Sequence, residues 1–501
     1  MQHQRGGISP PLFHFQTRAH NGTDTCAPAY IETEMTRRFR NRLLVLGTFG
    51  VLLCAGAWFL VRAARGIRVG TAVVSHTLCS GVFVSGLDPD SLYAEAIKPI
   101  PGQGALSHRL GYSVDRKGQQ VTVTWAGIFQ SRSVYRGEYG CMLLHGNESP
   151  DAGIGKLPVG EGRIPSAPRP ADPFEVLPRA PKIEAALDHA FAEPSQPPYR
   201  LVKAIVILHN RKLAGERYAA GYGSETPIPG YSLAKSVTNA LIGILVRQKK
   251  LSVDARAPVA DWSNPSNPRR AITIDNLMRM TSGLALDESY TGFDPVSRML
   301  FLESDMAGYA ERARLKAAPG SKWDYTSGNT LVLSRVIRDA VGGNAQDVLE
   351  FARREFFEPL GITTVTIEFD ATGTPVGSIY VYMSARDWAR LGELYLNDGV
   401  VNGKRILPEG WVNYSATPTL DTDYGAGFWT NRGFHGDAED RIHAGMPADA
   451  FYGSGNFGQR IVIVPSANLI IVRLGLTHSP GFDMKGLLRL VADTTSAFSA
   501  N

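Results

Sequence analysis

Residues 43–61 read LLVLGTFGVLLCAGAWFLV, apolar throughout except for Thr48. At about 1.5 Å per helical residue the run spans about 28 Å, close to the roughly 30 Å hydrocarbon core of a bilayer. Arg37, Arg38, Arg40 and Arg42 precede it, and Arg62, Arg65 and Arg68 follow. A helix buried in a soluble core rarely carries arginine clusters at both ends. A cleaved signal peptide would need a small-x-small site leading into a polar mature start, and the sequence offers no good one. The expectation is one transmembrane helix within residues 37–68, a signal anchor in the inner membrane. Its N-terminus would be cytoplasmic and everything after it periplasmic. Residues 1–36 are polar, Gly/Pro-punctuated and without periodicity, so a disordered tail is expected, with Met35 as an alternative start.

The rest of the chain has a globular composition, 44% apolar and 20% charged over 501 residues. The net charge of +5 is mild and partly local to the arginines around the apolar run. No aromatic-interleaved basic patch, P-loop or G-x-G-x-x-G after a strand is present, so no nucleic-acid partner is expected. Residues 70–150 lean towards β-structure, with Val121, Val123 and Trp125 alternating after the turn DRKG. Residues 151–182 are Pro-rich and read as a linker. Residues 183–501 read as one large domain of α+β class. It has an antiparallel sheet flanked by terminal helices ("IEAALDHAF" and Met484 to Phe498), and an all-α lobe between. Cys79 and Cys141 lie beyond the apolar run and form a candidate disulfide, the alternative being two buried thiols. No Cys/His cluster has metal-ligand spacing.

The stretch GYSLAKSVTNALIGILV (230–246) places Ser232 just before a largely apolar run that reads as a helix enclosed by the domain. Val237, Ala240, Leu241, Ile244 and Leu245 form its core face. Lys235, three residues on, shares a face with Ser232. A lysine buried there costs several kcal/mol unless it is paired or neutralised. One reading is a nucleophilic serine beside a lysine of lowered pKa; the other is an N-cap serine and a surface lysine. A lone S-x-x-K is weak evidence, but a serine nucleophile also needs a proton-handling partner and an oxyanion hole. "KWDYTSGN" puts Tyr325 at an element junction, and "FYGSGNFGQRIVIV" puts a Gly-rich turn, including Gly458, ahead of a strand. The N–H groups of Ser232 and Gln459 are the candidate oxyanion donors.

These motifs together resemble the serine β-lactamase-like superfamily, which includes class C β-lactamases, DD-peptidases, β-lactamase-fold esterases and 6-aminohexanoate-dimer hydrolases. The resemblance covers about residues 200–476. It implies a β-lactamase/transpeptidase-like fold, with Ser232 as nucleophile and Lys235 and Tyr325 sharing its proton. An acyl-enzyme would form and no metal or organic cofactor would be required. The tyrosine motif departs from Y-x-N, with Ser327 in the third position, and "GSGNFGQ" has Asn456 where a lysine or histidine is usual. Loss of that cation favours a small ester or neutral amide over a β-lactam. Ser327, Asn456, Gly458 and Tyr290, the last from the acidic segment "LDESYTGFD", are the expected substrate-binding residues. Two alternatives remain open. One is a membrane-anchored penicillin-binding-like module that is acylated without turnover. The other is an α/β-hydrolase, in which GYSLA is half of a G-x-S-x-G elbow and His478 or His443 serves as base. Oligomeric state is not legible.

Overall fold

The computed structural model describes residues 29–155, 174–289, 291–478 and 480–498. Most of the expected disordered tail and the middle of the expected Pro-rich linker lie outside these residues. The chain divides into two compact units, up to Arg62 and from Ala63 onward. In its described part the first unit is helical, with its side chains from Leu43 to Val61 exposed. Helix α1 (Ala29–Phe83) is the only one among the described residues long and apolar enough to cross a membrane.

Helix α1 does not stop at residue 68, where the anchor was expected to end. Val74, Leu78 and Val82 recur at helical spacing and are buried, which explains why β-branched residues here continue a helix. Val74 and Leu78 pack with Val121 and Val123 of the antiparallel sheet β1 (Leu110–Asp115), β2 (Gln120–Trp125), β3 (Phe129–Tyr135) and β4 (Cys141–Leu144). Cys79 at the end of α1 is joined to Cys141 at the start of β4 by a disulfide. Leu476 belongs to the same apolar cluster, so residues 63–155 share one compact unit with the rest of the fold.

The main sheet has six antiparallel strands. β5 (Val202–His209) and β6 (Lys212–Tyr218) follow helix α2 (Pro181–Phe191). β7 (Trp429–Thr430), β8 (Phe451–Gly455), β9 (Gln459–Val464) and β10 (Leu469–Gly475) come late in the chain, and the spatial order is β7-β8-β9-β10-β5-β6. Both faces are covered, so β5 is buried almost end to end. Ile205 and Ile207 face α2 and the last helix, α6 (Met484–Phe498), against Leu187, Leu487 and Leu490. Ala204 and Val206 face the opposite way, against α3 (Ala234–Arg247) and α5 (Ala385–Leu396). Between these lies α4 (Ser327–Val341), in a helical lobe that closes over α3. Each fully buried Leu, Ile or Val contributes about 1.5–3 kcal/mol. This antiparallel layout lacks the parallel sheet that an α/β-hydrolase elbow requires, so the elbow reading of GYSLA is not met.

Candidate active site

Helix α3 is buried on all sides from Ala234 to Leu245, as its sequence requires. Ser232 lies in the tight turn Tyr231–Leu233 that leads into it, and Tyr231 holds a left-handed backbone at φ 46°. Such a conformation is costly for a bulky side chain and clusters at functional sites. Lys235 sits one turn on, 3% exposed, with Nζ 3.0 Å from Ser232 Oγ. The same nitrogen lies 3.2 Å from Ser327 Oγ and 3.2 Å from the Ser378 carbonyl oxygen. Burial pushes the Lys235 pKa down to about 8, against an upward pull from the Glu288 carboxylate.

Tyr325 precedes Thr326, which caps α4 by accepting a hydrogen bond from the Gly328 N–H. Its ring centroid is 4.9 Å from Lys235 Nζ, and its hydroxyl is hydrogen-bonded to the Ser232 side chain. Burial, and then Glu288, hold the tyrosine pKa above its usual range. Ser327 is fully buried beside Lys235, and it donates its N–H and its hydroxyl (3.1 Å) to the Glu288 carboxylate. Lys235, one turn along the same helix, and Tyr325, from the junction before α4, therefore meet at the Ser232 oxygen, while Ser327 reaches the lysine.

The Gly-rich turn meets this group through Gly455. A Cβ there would stand 2.1 Å from the Gly230 carbonyl oxygen and 3.2 Å from the Ser232 nitrogen, so only glycine lets β8 approach the serine this closely. The matching family model, described as Beta-lactamase, covers residues 200–496, more than half of the chain. The chain belongs to the beta-lactamase family. Within this family the chain is 24% identical over 224 residues to the 6-aminohexanoate-dimer hydrolase of Paenarthrobacter ureafaciens. That match spans 42% of this chain and only 55% of the relative's length. Among solved structures, a Bacillus anthracis protein provisionally described as a 6-aminohexanoate-dimer hydrolase aligns with a TM-score of 0.51 at 24% identity. The alignment covers 60% of this chain and 80% of that one. A penicillin-binding protein homologue from Caulobacter crescentus aligns with a TM-score of 0.50 at 16% identity, over 64% of this chain and 98% of its own. These likenesses establish the serine-hydrolase fold of the beta-lactamase family.

Two expected site residues of this family member are placed differently from their sequence reading. The Gln459 N–H donates to the Asn456 carbonyl, closing the three-residue turn, so it is not free to bind an oxyanion. The Gln459 side chain is occupied too, with Nε2 2.6 Å from the Gly475 carbonyl oxygen and Oε1 3.0 Å from the Gly475 nitrogen. Gly458 belongs to the far side of the turn. Its carbonyl accepts from Arg473 Nη1 at 2.9 Å, and a Cβ on it would stand 2.3 Å from that nitrogen. Asn456 is the half-exposed first residue after Gly455. Tyr290 lies outside the described residues. His478 Nε2 is 3.0 Å from the Glu95 carbonyl oxygen and its ring packs on Phe457, while His443 is exposed on a short helix.

Sequence reasoning missed a wall of rings beside Tyr325. Tyr424 and Trp429 lie 5.7 and 6.0 Å from its centroid, and Trp323 lies 6.3 Å away. It also missed Glu288, which shares the acidic segment with Tyr290. Its signal was one carboxylate in a loop without periodicity. Among the described residues no group of His, Cys, Asp or Glu is arranged to hold a metal ion.

Proposed function

We propose that the chain is a serine hydrolase that acts through an acyl-enzyme on a small neutral ester or amide. The observation that carries this reading is the buried Lys235 amine, pKa about 8, placed 3.0 Å from Ser232 Oγ with the Tyr325 hydroxyl on the same oxygen. Ser232 is the nucleophile; Lys235 takes its proton as Oγ attacks the carbonyl, and Tyr325, a neutral phenol hydrogen-bonded to the same oxygen, shares in the proton transfer. The oxyanion is held by the N–H of Ser232 and the N–H of Asn456, the first residue past Gly455. The Lys235 ammonium returns that proton to the leaving group, which departs; the neutral amine then takes a proton from water as it attacks the acyl carbon, and gives it back to Ser232 Oγ as the acid is released.

Substrate charge is read from β8. Gly453 and Gly455 share the strand face turned to the Ser232 helix: a Cβ on Gly453 would meet Leu233 Cδ2 at 2.8 Å and Ser236 Oγ at 3.2 Å. In this reading the family's third-motif cation is replaced by Asn456, an uncharged side chain directly after Gly455. Arg460 does not supply that cation, because its Nη1 is held by the Gly455 and Gln459 carbonyls at 2.9 and 2.8 Å. Charge-assisted hydrogen bonds are roughly twice as strong as neutral ones. The missing cation should cost an anionic substrate about 1–2 kcal/mol, or roughly ten- to thirtyfold in kcat/KM. The rings of Trp323, Tyr424 and Trp429 favour an apolar acyl or leaving group.

The apolar run of α1 supports a single-pass anchor in the inner membrane, with the hydrolase on the periplasmic side. Carbonate-resistant membrane retention, with a C-terminal reporter active only outside the cytoplasm, is the expected outcome; a carbonate-soluble protein contradicts it. The activity is tested by kcat/KM of the full-length protein on short p-nitrophenyl esters, neutral amides, penicillins and cephalosporins. Esters or amides should lead the lactams by at least about tenfold. Lactam hydrolysis at or above the ester rate overturns the substrate reading, and stable acylation without turnover would indicate a binding module.

A further inference from the structure

We propose that Glu288 is a positioning residue that fixes the direction of the hydrogen bonds around Lys235, and so aims the amine's lone pair at Ser232. The inference rests on the roles given above to Ser232 and Lys235. It follows from counting donors and acceptors on the three neighbours of Nζ.

The Ser378 carbonyl oxygen, 3.2 Å from Nζ, can only accept. Ser327 Oγ, also 3.2 Å away, could in principle either donate or accept. Glu288 removes that choice. One carboxylate oxygen takes the Ser327 N–H and the other takes its hydroxyl proton at 3.1 Å. A carboxylate has no proton to give, so the Ser327 hydroxyl must point at Glu288 and offer only a lone pair to Lys235. A neutral amine has two N–H bonds and one lone pair. Both N–H bonds are then committed, to Ser378 O and Ser327 Oγ. The lone pair is left facing Ser232 Oγ at 3.0 Å, where it accepts the serine proton.

The arrangement serves the step on both sides. As Oγ bonds to the substrate carbonyl carbon, the carbonyl π pair moves to its oxygen and the serine proton passes to Nζ. The resulting ammonium has three N–H groups and three acceptors already in place. No side chain has to turn, which is the kind of preorganisation that lowers a barrier. Without Glu288, the Ser327 hydroxyl is free to rotate and donate to the same lone pair, in competition with Ser232.

The groups that face this amine limit what else could produce the effect. Tyr325 presents its ring, and Tyr424 and Arg460 act on Tyr325 from beyond it. Asp287, next to Glu288, is paired with Lys316, which also reaches Asp324. Glu288 is the acidic group that pulls on the lysine itself.

The test uses the full-length protein with p-nitrophenyl acetate and with a fluorophosphonate that labels reactive serines. Glu288→Gln keeps the size of the side chain and removes its charge. It should lower kcat by at least about tenfold with KM changed less than about threefold, because the defect lies in proton transfer. The acid limb of its kcat/KM profile should move to lower pH by at least about half a unit, because the lysine loses a stabilising anion. Glu288→Ala should show the same shift and a larger loss. Adding Ser327→Ala to Glu288→Ala should recover part of that loss, since the competing hydroxyl is gone. A purely structural role for Glu288 would lower the melting temperature and leave the pH limb in place. If the wild-type protein is labelled at Ser232 and the variants keep its kcat and its pH limb, the role of Glu288 is overturned and the hydrolase reading stands. If the wild-type protein is neither labelled nor active, the hydrolase reading fails and takes this inference with it.

Discussion

Lys235 and Glu368 are both buried ionisable side chains, 3% and 0% exposed, and their surroundings are built to different ends. Glu368 is closed on every side. Oε1 accepts from Ser80 Oγ at 2.6 Å and from the Cys141 N–H at 2.9 Å, while Oε2 meets His76 Nε2 at 2.9 Å and the Tyr382 hydroxyl at 3.5 Å. Those partners come from α1, from the disulfide-bearing strand β4 and from the strand Val381–Met383, so one carboxylate ties three segments together. Lys235 has two unreactive acceptors and one neighbour, Ser232, that can give up a proton. Desolvation of a charge is costly in either place. At Glu368 the cost is offset by full hydrogen bonding. At Lys235 it persists as a lowered pKa, which is what a base at near-neutral pH requires.

The largest effects should separate the two centres. Ser232→Ala should abolish turnover, and Lys235→Ala and Tyr325→Phe should each lower kcat by about 10²–10⁴ while the fold persists. His478→Ala should do almost nothing to kcat. Glu368→Ala should do the reverse and destabilise the protein by about 3–5 kcal/mol in denaturant titration. Each folded molecule should keep kcat within about twofold. A Glu368→Ala protein that folds normally but is inactive would break the comparison.

A smaller effect should come from the disulfide beside Glu368. The Cys79–Cys141 link closes a separation of 62 residues, which the chain-entropy model values at about 4 kcal/mol, with real proteins often giving less. Reduction should lower the melting temperature without changing kcat at 25 °C. Free thiols at both positions in non-reduced peptide mapping of exported protein would contradict the link.

The smallest expected effect sharpens the lysine side. The Lys235 pKa is about 8 in the folded state against 10.5 for an ordinary lysine. Between these values the unfolded chain binds more protons, so this group's contribution to stability rises with pH across that window. Below about pH 8 both states are charged and the full penalty of burial applies. Lys235→Met should flatten this part of the stability profile. A steeper rise in the variant would mean that the pKa shift has been assigned the wrong sign.

The parts of the site that depend on spacing were legible in the sequence. Ser232 and Lys235 lie three apart at the head of a largely apolar helix, a spacing that puts them on one face. Tyr325 was legible because it stands at a strand-like to helix junction. The Gly-rich turn was recognised, but its hydrogen bonds were not. They depend on which residues take the left-handed backbone, and Phe457 (φ 55°) does so beside Gly458. That turn geometry spends the Gln459 N–H on Asn456. Glu288 was hidden because a loop carries no periodicity, and its partner Ser327 lies 39 residues away. The end of α1 was obscured by valines that favour strands in isolation and become a helical stripe once β1–β4 cover them.

The central claim is that Ser232 carries a covalent acyl group during turnover. The direct measurement is intact-mass and peptide mass spectrometry of full-length protein quenched during reaction with a slowly deacylating p-nitrophenyl ester. The account predicts one acyl adduct per chain, mapped to Ser232 and absent from Ser232→Ala. Turnover with no adduct in either protein, or an adduct that persists in Ser232→Ala, would contradict it.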